Sequence, residues 1–587
     1  MAGSNKTLKI ASLFILFVVA ITIFLLALLK VIVEDRRLPK LVISEKNRAV
    51  RGSIISAEGY QLAYSNKLYK VAVNTRCIDP AKKELFINLF SIYTDIPKRI
   101  LRKKLKKRGY VVLSYNIDTK RAYQLKLLSR KLYQMDMFIP YKYKNTYIKQ
   151  GLTIRESGET RQYPYKDALT PVLGYVKKVR KDGSDYTTIV GVKGLEKYYE
   201  RYIEPRQDGI IKGKRDIGNN IILNKEAFIK KRVDGYNIHL NVNMLLQKSI
   251  ENILDNHRST LDAKEIIAAV MDADSGKILA IASTRRYDPG DIRRHANKYG
   301  YGDFNAKFVE YSFEPGSVMK PITFSLLLEH KLVTPYDVVR GYNGRYKLGK
   351  KIITDEHKKA WLSAENVIVY SSNIGIAQLA QRLKYDQFYQ GLKKFGFGSK
   401  SGIDLPYEHT GFLLPGYKLK SEIYKATVGY GYGIRVTFMQ LLKAYNVFNN
   451  FGKAITPRIA AFLSESNGKK KDLPPPKVTQ VISPRTAATM HQILKKVVEK
   501  GTGTAAKIDG LEIGGKTGTA HIARGGKYVK SYNSSFFGFA NDKKHRYTIG
   551  VTVIEPKEHY FASQTAVPVF RDIVIELLNE GYLSIDR

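Results

Sequence analysis

The chain of 587 residues has a single cysteine, Cys77, so no internal disulfide is possible. Cys77 is expected to be a small buried apolar side chain. No Cys/His cluster and no His-Glu-x-x-His run occurs, so neither a metal nor another cofactor is expected. The Asp272/Asp274 pair looks like the start of a calcium loop, but the remaining ligands of such a loop are missing. Acidic residues are also scarce: 53 Asp and Glu face 98 Lys and Arg, a net charge of +45. That excess suits a nucleic acid, an anionic lipid or an acidic polymer, or simply a solvated lysine-rich surface, since the lysines are scattered. With no zinc-finger spacing, RNP-like signature or helix-turn-helix pattern, no nucleic-acid partner is expected.

What is present begins with Glu314-Pro315-Gly316-Ser317-Val318-Met319-Lys320-Pro321. Three residues apart in a helix, Lys320 can reach the Ser317 hydroxyl, which needs an adjacent base to become a nucleophile. Lysine serves as that base only if its pKa falls from ~10.4 toward 7, a bias of roughly 4 kcal/mol against the charged form. Burial or a second cation can supply it. At a helix start, Ser317 also has unpaired backbone N–H groups beside it, where an oxyanion would form. The spacing alone proves little, because Ser466-Asn467-Gly468-Lys469 repeats it inside a polar run.

Two further motifs follow in order, Ser371-Ser372-Asn373 and Lys516-Thr517-Gly518-Thr519. Each has a decoy. Ser531-Tyr532-Asn533 comes after the Lys-Thr-Gly strand, and Lys400-Ser401-Gly402 lies in a glycine-rich loop. The order Ser-x-x-Lys, Ser-x-Asn, Lys-Thr-Gly is that of penicillin-binding proteins and class A β-lactamases. Over nearly its whole length the chain resembles a class B penicillin-binding protein, a membrane-anchored peptidoglycan D,D-transpeptidase. Val50 to Ala63 is similar to that family's Arg-Gly-x-Ile-x-Asp-Arg-x-Gly-x-x-Leu-Ala signature. It departs at Ser56 and Ala57, yet Gly52, Ile54, Gly59, Leu62 and Ala63 keep register.

The resemblance implies an α+β chain in three parts: a cytoplasmic stub and transmembrane anchor (1–33), a non-catalytic pedestal of the dimerisation type (34–235), and a transpeptidase domain (236–587). It implies roles as well. Ser317 is the acylated nucleophile, Lys320 the general base and Ser371 a proton relay. Asn373 holds the substrate amide, and Lys516 with Thr519 binds the substrate's terminal carboxylate. Thr517 and Gly518 lie along the strand edge where substrate pairs. Implied partners are stem peptides ending in D-Ala-D-Ala, an acceptor amine, β-lactams, a membrane-embedded glycosyltransferase and other cell-division proteins. Ala426 to Ile434, with its Gly-Tyr-Gly, and Ile353-Thr354-Asp355-Glu356-His357 fit division-type enzymes, the elongation type being the alternative.

Read on its own, Ile10–Leu29 is an apolar run long enough to cross a membrane as a helix, and Lys30 with Glu34 to Arg37 follows it in place of a cleavage site. Flanking lysines and arginines on both sides leave its orientation open. The resemblance implies a cytoplasmic N-terminus and an extracytoplasmic catalytic domain at the inner membrane. Ala122, Leu125, Leu127, Leu128 and Leu132 mark an amphipathic helix. Asn237–Val242 reads as a strand and Met244 starts a helix; Ile266–Met271 and Lys277–Ala282 read as a hairpin. Trp361–Leu379 reads as helical, with the Ser-Ser-Asn motif on a turn or helix start within it. Ala487–Lys500 and Val567–Leu578 read as helices, and Glu512–Ala520, Asn533–Ala540 and Tyr547–Glu555 as strands of an antiparallel sheet. Arg161–Pro164, Leu173–Val176 and Gly191–Glu196 carry bland chemistry and belong to the pedestal. Rival readings are a β-lactamase, for which no deacylating group can be assigned, a membrane β-lactam sensor, and a non-catalytic divisome scaffold.

Overall fold

The computed structural model describes residues 4–33, 41–143, 146–180, 186–214 and 221–585. Its contacts divide the chain into two compact units, residues 1–48 with 207–232, and residues 49–206 with 233–587. In the first, Ser4–Val33 is one helix of 30 residues. It is long and apolar enough to cross a membrane, with a mean hydropathy of 3.1 over its most apolar 18-residue window. Glu34, Arg36, Arg37 and Lys40, the charges that follow, lie outside the described residues. The same unit holds a three-stranded antiparallel sheet with Gly209–Lys214 between Val42–Asn47 and Phe228–Lys230.

In the second unit a nine-stranded sheet runs from residues 61–191 into later sequence. Ile54–Ile55 pairs antiparallel with Gln61–Asn74, and parallel with Asn237–Leu240, which in turn pairs with Ala460–Ser464. Against the far half of Gln61–Asn74 pack the helices Lys83–Thr94, Lys98–Leu105 and Thr119–Gln134, around a core with Phe86, Phe90 and Phe138. Thr119–Gln134 buries Ala122, Leu125, Leu128 and Leu132, whereas Leu127 is exposed. Cys77 is fully buried here.

Charges hold this part together. Arg51 donates from Nε to Glu196 at 2.9 Å and from both terminal nitrogens to Glu200, while Arg161 Nε reaches the other Glu196 oxygen at 2.7 Å. Burial alone would raise the Glu196 carboxyl, but Arg161 and Arg51 hold it below its ordinary pKa. Gly52 is required beside this cluster, since a Cβ there would lie 2.0 Å from the Tyr236 carbonyl oxygen.

The five-stranded antiparallel sheet that carries the site runs Ile278–Ser283, Glu265–Asp272, Arg546–Ile554, Lys527–Asn541, Glu512–Arg524. Side-chain alternation sends Ile266, Ala268 and Val270 to one face, under the helices Met244–Thr260 and Ala566–Asn579. Ile267, Ala269 and Met271 enter the opposite core, shared with Lys320–Glu329, Phe438–Asn449 and Pro484–Lys500. Both faces are covered, so Glu265–Asp272 and Ile278–Ser283 read as near-continuous apolar runs. The turn at Asp272 closes on itself, Asp272 Oδ1 accepting from Ser275 N, and Asp274 pairs with Arg546.

One stretch differs from its sequence reading. Trp361–Ser363 is a strand paired with Val338–Arg340, and the helices Ala364–Val369 and Asn373–Ala380 are separated by a break at residues 370–372. The partner strand, distant in sequence, overrides the local helical pattern.

Candidate active site

Ser317 sits in a single 3-10 turn, Gly316–Met319, that runs directly into the helix Lys320–Glu329. Gly316 takes a φ of 59°, open to glycine at no steric cost, and starts the turn. The turn is clamped from two sides. Gly316 N donates to Gly431 O at 2.9 Å, and the buried Tyr445 hydroxyl donates to Val318 O at 2.7 Å. Gly431 has no room for a side chain: its φ is 93°, and a Cβ would stand 1.9 Å from Gly316 O. Gly431→Ala is therefore expected to displace the serine turn and slow acylation by β-lactams at least ~100-fold while the fold survives, as read by stopped-flow acylation beside far-ultraviolet circular dichroism.

Ser317 is half-buried, and among the described residues its hydroxyl makes no hydrogen bond. Lys320 is fully buried. Its Nζ donates to Ser371 O at 2.5 Å and to Ser371 Oγ at 3.2 Å. Burial pushes the Lys320 ammonium down to about 7, against the opposing pull of Asp355 and Glu356. A neutral amine that donates both protons to Ser371 keeps its lone pair free to accept one.

Ser371 has a φ of 61°, in the left-handed region, which turns the chain between the two helices. Asp355 holds that turn: it accepts from Ser372 Oγ at 2.5 Å, Asn373 N at 2.6 Å and Ile374 N at 3.0 Å. The Asn373 amide donates to Thr354 O at 2.9 Å. In the sequence Asp355 stands only as part of the Ile353–His357 stretch, with nothing to mark it as the residue that positions this turn. Asp355→Ala leaves three donors unpaired. The expected cost is about 2–3 kcal/mol, a roughly 30–100-fold slower acylation with Ser317 and Lys320 intact.

The third motif lies on the outermost strand, Glu512–Arg524, whose free edge abuts the serine turn. A Cβ on Gly518 would come within 2.7 Å of Val318 Cγ1 and 3.1 Å of Pro315 O. Lys516 is fully buried, its Nζ within 3.2 Å of Thr517 O and Oγ1. Burial first, then the Lys320 charge, holds Lys516 well below the ordinary lysine range. Thr517 Oγ1 also bonds Thr502 Oγ1 at 2.7 Å, and Thr519 Oγ1 accepts from Ala562 N at 3.1 Å. Two decoys lie elsewhere: Ser466–Lys469 is a hairpin turn, and Ser401 N donates to Glu408. Ser531-Tyr532-Asn533 lies on the neighbouring strand, where Asn533 pairs with Ala520 and its amide donates to the Tyr311 hydroxyl.

A buried low-pKa amine bonded to a second serine, beside a clamped serine and an open strand edge, is a layout for acyl transfer. Residues 266–574, more than half the chain, match the penicillin binding protein transpeptidase domain. The chain belongs to the penicillin-binding protein transpeptidase family. Residues 46–240 match the penicillin-binding protein dimerisation domain. Among relatives of this penicillin-binding protein, the penicillin-binding protein PbpB of Mycolicibacterium smegmatis is 29% identical over 72% of the chain and 65% of that protein. The probable peptidoglycan D,D-transpeptidase PenA of Neisseria meningitidis is 27% identical over 90% of the chain and 84% of the relative. The fold matches that of penicillin-binding protein 3 from Mycobacterium tuberculosis complexed with aztreonam. The TM-score is 0.65 at 23% identity, over 92% of this chain and 98% of that one.

Proposed function

We propose that this penicillin-binding protein is a serine-type peptidoglycan D,D-transpeptidase of cell division, anchored in the inner membrane by Ser4–Val33 with its catalytic domain outside. The observation that carries the reading is the buried Lys320 amine, lowered to about 7 and bonded to Ser371. Ser317 Oγ attacks the penultimate D-alanine carbonyl of a stem peptide as neutral Lys320 takes its proton. The N–H groups of Ser317 and Thr519 stabilise the oxyanion. Ser371 passes the proton to the departing D-alanine amine, and Asn373 holds the substrate amide. Lys516 and Thr519 take the terminal carboxylate, whose negative charge favours the ammonium form of Lys516. An amine of a neighbouring stem then attacks the Ser317 ester, forming the cross-link and freeing the serine.

β-Lactams acylate the same serine, in keeping with the aztreonam complex of the mycobacterial neighbour. The Gly-Tyr-Gly at Gly431–Gly433 and the Ile353–His357 stretch favour the division role over elongation. The partners are stem peptides, a membrane-embedded glycosyltransferase and other division proteins. The test supplies un-cross-linked glycan strands with pentapeptide stems and follows D-alanine release and dimer formation by mass. Both are expected with the wild-type chain and neither with Ser317→Ala. Hydrolysis without dimers would contradict transpeptidation.

A further inference from the structure

The chain's single tryptophan, Trp361, stands 61% exposed on the strand that leads into the helix before the Ser371 turn. It is not a loose surface residue. Trp361 faces Arg340 across the short ribbon of Val338–Arg340 and Trp361–Ser363. The Arg340 guanidinium lies 5.8 Å from the Trp361 ring and 4.8 Å from that of Tyr342, which packs 4.8 Å from Tyr346. The backbone beneath is built tightly: Gly341 N donates to Ala360 O at 2.7 Å, and a Cβ on Gly341 would lie 2.3 Å from Lys359 O.

Around these rings Arg345, Lys347, Lys350, Lys358 and Lys359 are exposed, and among the described residues none is in an ion pair. Few of the local acids are free. Asp337 pairs with Arg382 and Asp355 caps the Ser372 turn, leaving Glu356 and Glu422, the latter near Tyr346, as the exposed exceptions. Two bonds join the platform to the helix that follows the Ser-Ser-Asn turn. Gln378 Nε2 donates to Arg340 O at 2.7 Å, and Asn373 Nδ2 to Thr354 O, at the end of the adjoining hairpin.

We propose that this platform binds the glycan backbone of the strand whose stem peptide occupies the Ser317 site. The proposal rests on the transpeptidase reading and extends it from the peptide to the sugar chain. Sugar rings present flat C–H faces that pack on indole and phenol rings, and the unpaired cations suit the carboxylates of neighbouring stems. Arg340 stands between Trp361 and the Tyr342–Tyr346 pair, so the exposed rings form no continuous apolar patch like the core of a protein-docking face.

Because Trp361 is the only tryptophan, its emission reports binding directly. Full-length Ser317→Ala in detergent is titrated with stem-free glycan chains and, separately, with free stem pentapeptide. Glycan chains are expected to shift Trp361 emission saturably, the pentapeptide is not, and Arg340→Ala is expected to weaken the response about fivefold. In the active chain, Trp361→Ala is expected to raise KM for glycan-strand substrate about fivefold at unchanged kcat, with Trp361→Tyr restoring it and the β-lactam acylation rate unmoved. Emission silent to glycan chains, or an unchanged KM, overturns the proposal. If neither acylation nor cross-linking occurs while Trp361 still responds, the transpeptidase reading fails and the glycan surface stands.

Discussion

Raising the pH from 6 to 8 is expected to speed β-lactam acylation of the chain about tenfold, on a curve centred near 7. The curve follows the neutral fraction of Lys320, whose burial makes the amine a base near neutrality. Lys320→Met is expected to slow acylation by at least ~10³-fold at every pH and to erase that limb. The same variant carries an opposite effect on stability. The folded pKa of Lys320 lies below the unfolded value of ~10.4, so between about 7 and 10 the unfolded chain holds more protons and stability rises with pH. Below 7 the penalty is fully present, roughly 4–5 kcal/mol for a shift of this size. Lys320→Met removes it, and Lys320→Met is expected to be the more stable protein at pH 6 by some part of that amount. Denaturant titrations at pH 6 and 9 check the sign: the gap between variant and wild type should narrow at pH 9. A variant less stable than wild type at both pH values would contradict the burial account.

The second large effect lies away from the site. Glu196→Ala is expected to destabilise the protein by about 3–5 kcal/mol, because it strands the buried Arg51 and Arg161 without their shared carboxylate. Removing the charges together with their partners is a different experiment, since well-packed apolar replacements of a buried ion network are often neutral. The Glu196 carboxyl is depressed in the fold, so its contribution is present above its unfolded pKa and fades as the pH falls through the lower folded value. Urea unfolding followed by circular dichroism reads both results. A loss under ~1 kcal/mol for Glu196→Ala would mean that solvent reaches the network.

The contrast between these two sites shows what a sequence reveals. Ser317 and Lys320 are legible because their relation is local, one helical turn. Motif order then places Ser371 and Lys516 with them, and the structure bonds Lys320 to Ser371 and packs Gly518 on Val318. The strands of the five-stranded sheet were legible from apolar runs at the right length, and the buried helices from their period. Long-range pairings leave no such trace. Asp355 looks like any loop acid until Ser372, Asn373 and Ile374 are seen to converge on it. Arg51, Arg161 and Glu196 stand in segments that read as bland, yet they form the charged centre of the pedestal-like sheet. Trp361–Ser363 passed for helix because only its pairing with Val338–Arg340 makes it a strand.

The claim that matters most is that Ser317 forms the acyl-enzyme. Intact mass and peptide mapping of the full chain after incubation with a penicillin, beside Ser317→Ala, tests it directly. The account predicts one long-lived adduct, mapped to Ser317 and missing from the variant. An adduct on another residue, one that hydrolyses rapidly, or none on folded protein would contradict it.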